Sequence, residues 1–300
     1  MPESYLAIES ISELHKFYGV AQPRHPLITV IEMGNNQVER PKAAVTCCLG
    51  FYTIFCKKFT GSIQYGHSYY DFSEGSLMFT APGQVVTSSP ELHIEEGWGL
   101  FFHPDLINTC ALGRKMASYT FFNYEANEAL HVSEDEKRVL TACLCNIRKE
   151  YEQNIDRHTN GLIQSNIELL LNYCSRFYDR QFYTREKVNT DVVQQFEKLI
   201  KDYFAPETLI DIGLPNVGYF ASRMNLSPNY LSDLLQRFTG KTTLEHIHLQ
   251  LVDKARSLLW STQKPVSEIA YMLGFEHPSH FSRLFKSKTG HSPSGYRHSN

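Results

Sequence analysis

Ser279, His280 and Arg283, followed by Lys286 and Lys288, share a segment with Phe281, Leu284 and Phe285. At helical spacing the three apolar side chains take one stripe, and the hydroxyl, imidazole, guanidinium and ammonium groups take the rest. Such a face can read an edge of acceptors. Arginine grips guanine through two parallel hydrogen bonds, and lysines neutralise phosphates. Fifty residues earlier Asn229, Ser232, Asp233 and Gln236 lie off a stripe of Leu231, Leu234, Leu235 and Phe238, with Arg237 and Lys241 beside them. Asp233 departs from this pattern: a carboxylate can accept from cytosine but is costly near phosphates. The chemistry is recognition rather than bond making. No nucleophile elbow, phosphate-cradling glycine loop or His-Glu-x-x-His motif is present, so no catalytic residue and no cofactor is called for.

These faces sit on an internal repeat. Ala221, Met224 and Leu226 match Ala270, Leu273 and Phe275 at an offset of 49. After one extra residue Leu231, Ser232, Leu234, Leu235, Thr239 and Gly240 match Phe281, Ser282, Leu284, Phe285, Thr289 and Gly290 at an offset of 50. Each copy reads as a short helix, a tight turn and a second helix ending at glycine. In the first, Asn225 can take the left-handed conformation of a helix stop, and Ser227-Pro228 reads as an N-cap with proline at the first helical position. Gly274 makes the second turn. A helical segment, Thr243 to Trp260, joins the copies.

Three runs carry a family resemblance: Pro265-Val-Ser-Glu-Ile-Ala-Tyr-Met-Leu-Gly-Phe275, Phe281-Ser-Arg-Leu-Phe-Lys286 and Thr289-Gly-His-Ser-Pro-Ser-Gly-Tyr-Arg297. With the first copy, from Val217 onward, they resemble the DNA-binding domain of AraC/XylS-type transcription regulators. The resemblance implies that two helix-turn-helix units place their second helices in major-groove faces of double-stranded DNA about one turn, ~34 Å, apart. Base contacts then fall to Asn229, Ser232, Asp233, Gln236, Ser279, His280 and Arg283, the last matching a base-contacting position in the family. Phosphate contacts fall to Arg237, Lys241, Ser282, Lys286 and Lys288. It further implies a sequence-specific regulator, an activator meeting RNA polymerase, that is a homodimer and answers a small-molecule effector of unknown identity.

Charge distribution agrees. From Val217 onward ten Lys and Arg stand against five Asp and Glu, so +5 lies at this end and −8 on the rest of a chain whose total is −3. A basic end on an acidic body suits phosphate contact at one end only. Three hundred residues predict about two domains. No signal-like start and no run of ~18 apolar residues is present, which predicts a cytoplasmic protein with no membrane partner. The seven cysteines are an odd number and read as reduced small hydrophobes. Cys143 and Cys145, two apart on a helix, point to different sides and make a poor metal clip.

The first ~130 residues have another texture. Leu27–Met33, Ala44–Phe59, Gly75–Ala81 and Gly97–Phe102 are short and rich in aromatic and β-branched residues, punctuated by Gly61, Gly66, Gly75, Pro82-Gly83, Pro90 and Gly97. This predicts a many-stranded antiparallel barrel or jelly roll. The run from Tyr70 to Gln84 resembles the cupin-like sensing domain often found ahead of such DNA-binding domains. Catalytic cupins hold a metal with a His-x-His pair, a Glu and a later His. Here His67, His93 and His103 are isolated, so no metal is expected, and a metal-dependent enzyme fused to a DNA-binding domain stays the lesser alternative. Control by a partner protein without a ligand is another. His246 and His248 diverge on a helix, whereas His277 and His280 can share a face.

Between the two lies a helical middle. Ser133-Glu-Asp-Glu136 is a capping box opening a helix toward Asn154, with Val139, Leu140, Cys143, Leu144, Ile147, Tyr151 and Ile155 as its stripe. A second helix, about Thr159 to Tyr183, carries Leu162, Ile163, Ile167, Leu170, Leu171, Cys174 and Phe177. These stripes must be buried in a dimer contact or against the same chain. Asp179 to Thr190 is the candidate linker. The expected fold is therefore α+β and multidomain. A cupin-like jelly-roll barrel spans 1–132, a helical dimerisation or connector region 133–184, and an all-α DNA-binding domain with two helix-turn-helix units 185–300.

Overall fold

Short runs rich in aromatic and β-branched residues, Ile28–Met33 and Tyr52–Thr60 among them, build the first of two units, Met1–Thr184; the second is Arg185–Asn300. The computed structural model describes residues 6–33, 45–60, 62–65, 68–71, 75–88, 93–125, 128–184, 186–205 and 209–298. The first unit runs β1 (Leu6–Ile8), α1 (Ile11–Phe17), β2 (Ile28–Met33), β3 (Val45–Leu49), β4 (Tyr52–Thr60), β5 (Ser62–Tyr65), β6 (Ser68–Asp71), β7 (Ser76–Thr80), β8 (Val85–Ser88), β9 (His93–Phe102), α2 (Ala111–Lys115), β10 (Leu130–His131), α3 (Glu134–Glu152) and α4 (Thr159–Thr184).

The strands form two five-stranded sheets, β1-β3-β8-β5-β6 and β10-β7-β4-β9-β2. Among the described residues neither sheet closes, so the expected barrel is here a pair of open sheets. One pairing, β1 with β3, is parallel. Ile8, Ile31, Met33, Leu49, Phe55, Met78 and Phe101 fill one core cluster, with Ile11 and Leu14 of α1 packed into it. Phe55 and Phe101 meet edge to face at 5.2 Å. The pleat sends the next residues to the opposite face of the second sheet. There Phe79 lies 4.5 Å from Phe121, and Phe102 stacks on Tyr52. Tyr178 of α4 stacks on Phe121, so β7 is covered on both faces and all five of its residues are buried.

The α3–α4 hairpin follows its sequence signals. Ser133 accepts from the Glu136 amide while Glu136 reaches back to the Ser133 amide, the reciprocal cap that the sequence predicts. Leu140, Cys143, Leu144 and Ile147 of α3 and Ile163, Ile167, Leu170, Leu171 and Cys174 of α4 are buried within this chain. Ile155 and Leu162, expected in the same stripes, are exposed. Gln181 accepts the His131 amide and donates to Ala129, and Arg180 bridges Glu136 and the His131 carbonyl. Asp179–Thr184 is therefore the last turn of a helix rather than a linker, with Gln181 and Phe182 inside and Asp179, Tyr183 and Thr184 exposed. The seven cysteines are not joined in disulfides; Cys143 is buried and Cys145 exposed, as their spacing predicts. Among the described residues no helix is long and apolar enough to cross a membrane.

The second unit is all helix: α5 (Glu186–Phe204), α6 (Val217–Arg223), α7 (Pro228–Thr239), α8 (Thr243–Ser261), α9 (Val266–Met272), α10 (Pro278–Thr289) and α11 (Pro293–His298). One core joins them, from Phe196 and Ile200 of α5 through Phe220, Leu231, Leu235, Ile247, Leu251, Ala255, Ile269 and Ala270 to Phe281 and Phe285. Each large apolar side chain buried this way contributes about 1.5–3 kcal/mol. Lys254 donates to the carbonyl of Phe204 at 2.9 Å and so satisfies the end of α5. The segment after α5 is tied down by Tyr203, whose hydroxyl donates to the carbonyls of Ile212 and Gly213, and by the Leu209 amide on Met272.

Candidate nucleic-acid interface

The two turns are built alike from different residues. In the first, the Leu226 amide returns to the Ala221 carbonyl at 3.0 Å; in the second, the Phe275 amide returns to Ala270, also at 3.0 Å. Each loop needs one left-handed residue, supplied by Asn225 (φ 54°) and Gly274 (φ 83°). Asparagine suffices at the first. At the second, a Cβ on Gly274 would stand 2.8 Å from the Gly213 carbonyl carbon and 2.9 Å from the Leu214 amide, so only glycine fits. Pro228 and Pro278 occupy the first helical positions of α7 and α10. Ser227 caps α7 by accepting the Tyr230 amide, whereas His277 in the same role makes no side-chain cap.

The helix ends are duplicated too. Gly240 and Gly290 take left-handed φ of 75° and 80°, as caps require. Thr239 donates to Leu235 and accepts the Lys241 amide; Thr289 donates to Phe285 and accepts the His291 amide. The 50-residue offset continues beyond Gly290, a signal already in the sequence: Thr242 caps α8 and Ser292 accepts from Gly295 at the start of α11. The repeat is therefore three helices long, α6-α7-α8 followed by α9-α10-α11.

The predicted reading residues do not all lie in the open. In the first copy Gln236 and Arg237 are exposed, while Asn229, Ser232 and Asp233 are half-buried. Ser232 donates to the fully buried Thr243 hydroxyl at 3.1 Å, so its polar group is engaged with α8. Gln236 turns back to the Gly240 carbonyl at 3.1 Å. Tyr230, between Asn229 and Leu231 in the first turn of α7, is buried. In the second copy Ser279, His280, Arg283, Lys286 and Lys288 are all exposed and Ser282 is half-buried. Pro293 stands where Thr243 does, so the acceptor that engages Ser232 has no counterpart for Ser282. The His277 and His280 rings meet edge to face at 5.4 Å, on one face as their spacing predicts.

Not every basic residue of this end faces outward. Arg297 donates to the carbonyls of Leu259 and Lys264, Lys264 pairs with Glu268, and Arg256 pairs with Asp253 and lies over the Tyr296 ring. Lys241 and Lys288 lie near the first turns of α8. Hydrogen bonds from Thr242 hold the Glu245 carboxyl below the usual range, and Lys288 and Lys241 add to the effect. Burial lowers His246, with Lys241 adding; burial lowers His248, with Lys288 adding. Both imidazoles therefore favour the neutral form, and His246 is bonded to Thr239 at 2.7 Å.

The barrel histidines contribute little to this picture. His67 and the side chain of His93 lie outside the described residues. His103 accepts the Asp105 amide at 3.2 Å and caps a short turn. Among the described residues no group of three or more His, Cys, Asp or Glu side chains could hold a metal.

Residues 220–299 match the family described as a helix-turn-helix domain. The chain is similar to the uncharacterised HTH-type transcriptional regulator YijO of Escherichia coli (strain K12), 24% identical over 75% of this chain and 78% of that protein. It is also similar to the arabinose operon regulatory protein of the same strain, 34% identical over 27% of this chain and 28% of that protein. Among solved structures, the C-terminal domain of AraT, a response regulator from Geobacillus stearothermophilus, is 28% identical over 36% of this chain and 85% of that one, with a TM-score of 0.32. The C-terminal end of the chain thus carries a helix-turn-helix domain, and DNA-binding transcription regulation is the activity that its relatives support.

Proposed function

We propose that this helix-turn-helix domain makes the chain a sequence-specific DNA-binding transcription regulator in which 185–300 grips the duplex and the first unit governs it. The observation that carries the reading is the repeat itself: two complete helix-turn-helix copies share one core and present α7 and α10 as second helices. A lone helix pair of this shape occurs in many helical domains. Two in tandem, one with an exposed Ser279, His280, Arg283, Lys286 and Lys288, suit adjoining major-groove faces. Arg283 is assigned to a base edge, and Lys286, Lys288, Lys241, Arg237 and Ser282 to phosphates.

Activation through RNA polymerase, assembly as a homodimer, residence in the cytoplasm and control by a small molecule extend this reading on the resemblance that the sequence carries. The α3 and α4 stripes are largely buried within one chain, so a homodimer would have to use the apolar side chains left exposed on these helices, including Leu162 and Leu169. Selection of bound duplexes from a random pool by the purified full-length chain tests the function. A recurrent site, bound with an affinity that falls steeply with salt, is expected. Recovery of unenriched sequence would overturn the reading.

A further inference from the structure

We propose that a cleft between β2, α3 and the loop after α1 binds a small organic carboxylate with a compact apolar body. The regulatory consequence rests on the reading of the chain as an effector-controlled DNA-binding protein; the binding itself does not. The cleft encloses about 390 Å³, within the ~300–1,000 Å³ of typical small-molecule sites. Val20 and Ile31 line it on the α1 side of β2 and Val30 on the opposite face, and Arg24, Arg148 and Tyr151 bring donors to it from separate segments.

Each donor has capacity to spare. Tyr151 is buried and its hydroxyl oxygen accepts the Val30 amide at 3.1 Å, which leaves its own proton to give. Arg24 makes one 3.3 Å bond, to the Glu152 carbonyl, and has no carboxylate partner among the described residues. Arg148 holds Glu32 at 2.7 Å through one nitrogen, and the planar fork of a guanidinium can take a carboxylate through two. By contrast His15 and Thr29 bond each other at 2.9 Å, and His15 also engages the Ala21 carbonyl, so these two are wall rather than hooks.

Glu32 and Glu152 at the rim balance the two arginines, so these four side chains carry no net charge. An anion therefore enters by exchange. The Glu32 side chain is 63% exposed against 33% for Arg148, so Glu32 is the partner that can swing into water. A ligand carboxylate then takes its place and no charge is left buried and unpaired. The Arg148–Glu32 pair joins β2 to α3, and α3 packs along α4, which ends the first unit at Thr184. Exchange at Arg148 would replace this latch with the ligand as the brace between sheet and hairpin.

The test is titration calorimetry of the full chain with benzoate, 4-methylpentanoate and succinate at up to about 10 mM, ten times a Kd of ~1 mM. Benzamide and 4-methylpentanamide are the uncharged controls. At least one carboxylate should bind about tenfold or more tighter than its amide. Glu32→Gln, which frees Arg148, should tighten that binding about threefold or more, and Arg148→Gln should abolish it. Tyr151→Phe should weaken it while the unfolding midpoint of the variant shows that it still folds. No heat from any carboxylate with either the wild type or Glu32→Gln overturns the proposal, as does binding unchanged by both Glu32→Gln and Tyr151→Phe. Duplex selection, run separately, reports on the DNA reading, so either can fail with the other intact.

Discussion

At Asp233 and Gln236 the first copy presents a carboxylate and an amide; fifty residues on, the second presents Arg283 and Lys286 at matching positions. Ser232 is held by Thr243 beneath it, whereas the position matching Thr243 in the second copy is Pro293, which offers Ser282 no hydroxyl. The turns invert this relation. The first is closed by an ordinary asparagine and a buried serine cap, and the second by a glycine with backbone against it and by a histidine that caps nothing. Both copies keep the same helices while their chemistry is divided. The first is fastened by its own side chains, and the second leaves its side chains in the open and relies on tight packing for its turn.

That contrast can be broken most sharply at the turns. Gly274→Ala forces a Cβ into the Gly213–Leu214 backbone at positive φ, and should cost about 3 kcal/mol or more in urea unfolding of the second unit. Gly290→Ala meets nothing within 4 Å and should cost only about 1–2 kcal/mol, the left-handed penalty alone. Equal losses would mean that the packing of the second turn is not what holds it. Next come the reading positions. Arg283→Ala should lose about 1–3 kcal/mol at the selected site and relax preference at one base pair. Asp233→Ala should leave affinity within about threefold, ~0.6 kcal/mol, or improve it. Fluorescence anisotropy on the two variants compares the copies directly, and a larger loss for Asp233 would reverse their roles.

The caps come third. Ser227→Ala should cost about 1 kcal/mol, since it strips the Tyr230 amide of its acceptor, while His277→Ala should be close to neutral in the same denaturation assay. The smallest effect is with pH. Burial, with Lys241 and Lys288 adding, keeps His246 and His248 below the ordinary imidazole value. The unfolded chain then takes up protons that the folded unit resists. Stability is fully present above about pH 6.5 and declines below it, levelling off once the folded imidazoles also protonate. Urea midpoints at about pH 8 and about pH 5 should show this fall. Burial also lowers His25, so the first unit shares the sign. His246→Gln should flatten the fall for the second unit only.

Much of the second unit was legible because repeats write their constraints twice. Gly240 and Gly290, the apolar stripes of α7 and α10, and the Asn225 and Gly274 stops are local signals, set by helix period and φ. What escaped is tertiary. Ser232 reads as a surface hydroxyl until α8 brings Thr243 beneath it. Helix α5 carries Phe196, Ile200, Tyr203 and Phe204 into the core, yet its polar opening reads as the end of a linker. In the first unit, strand texture is local but pairing is not: nothing in Leu6–Ile8 announces a parallel partner in Cys47–Leu49. The cleft is less legible still, since Glu32 and Arg148 lie 116 residues apart.

Arg297 crosses from the last helix to hold the carbonyls of Leu259, in the last turn of α8, and of Lys264, in the loop that delivers α9. Trimming the protein before this position, for crystallisation or for a minimal binding fragment, would therefore slacken the entry to the more basic copy and depress duplex affinity without touching a contact residue. Fragments should be cut from the other side, and purification handles placed there as well.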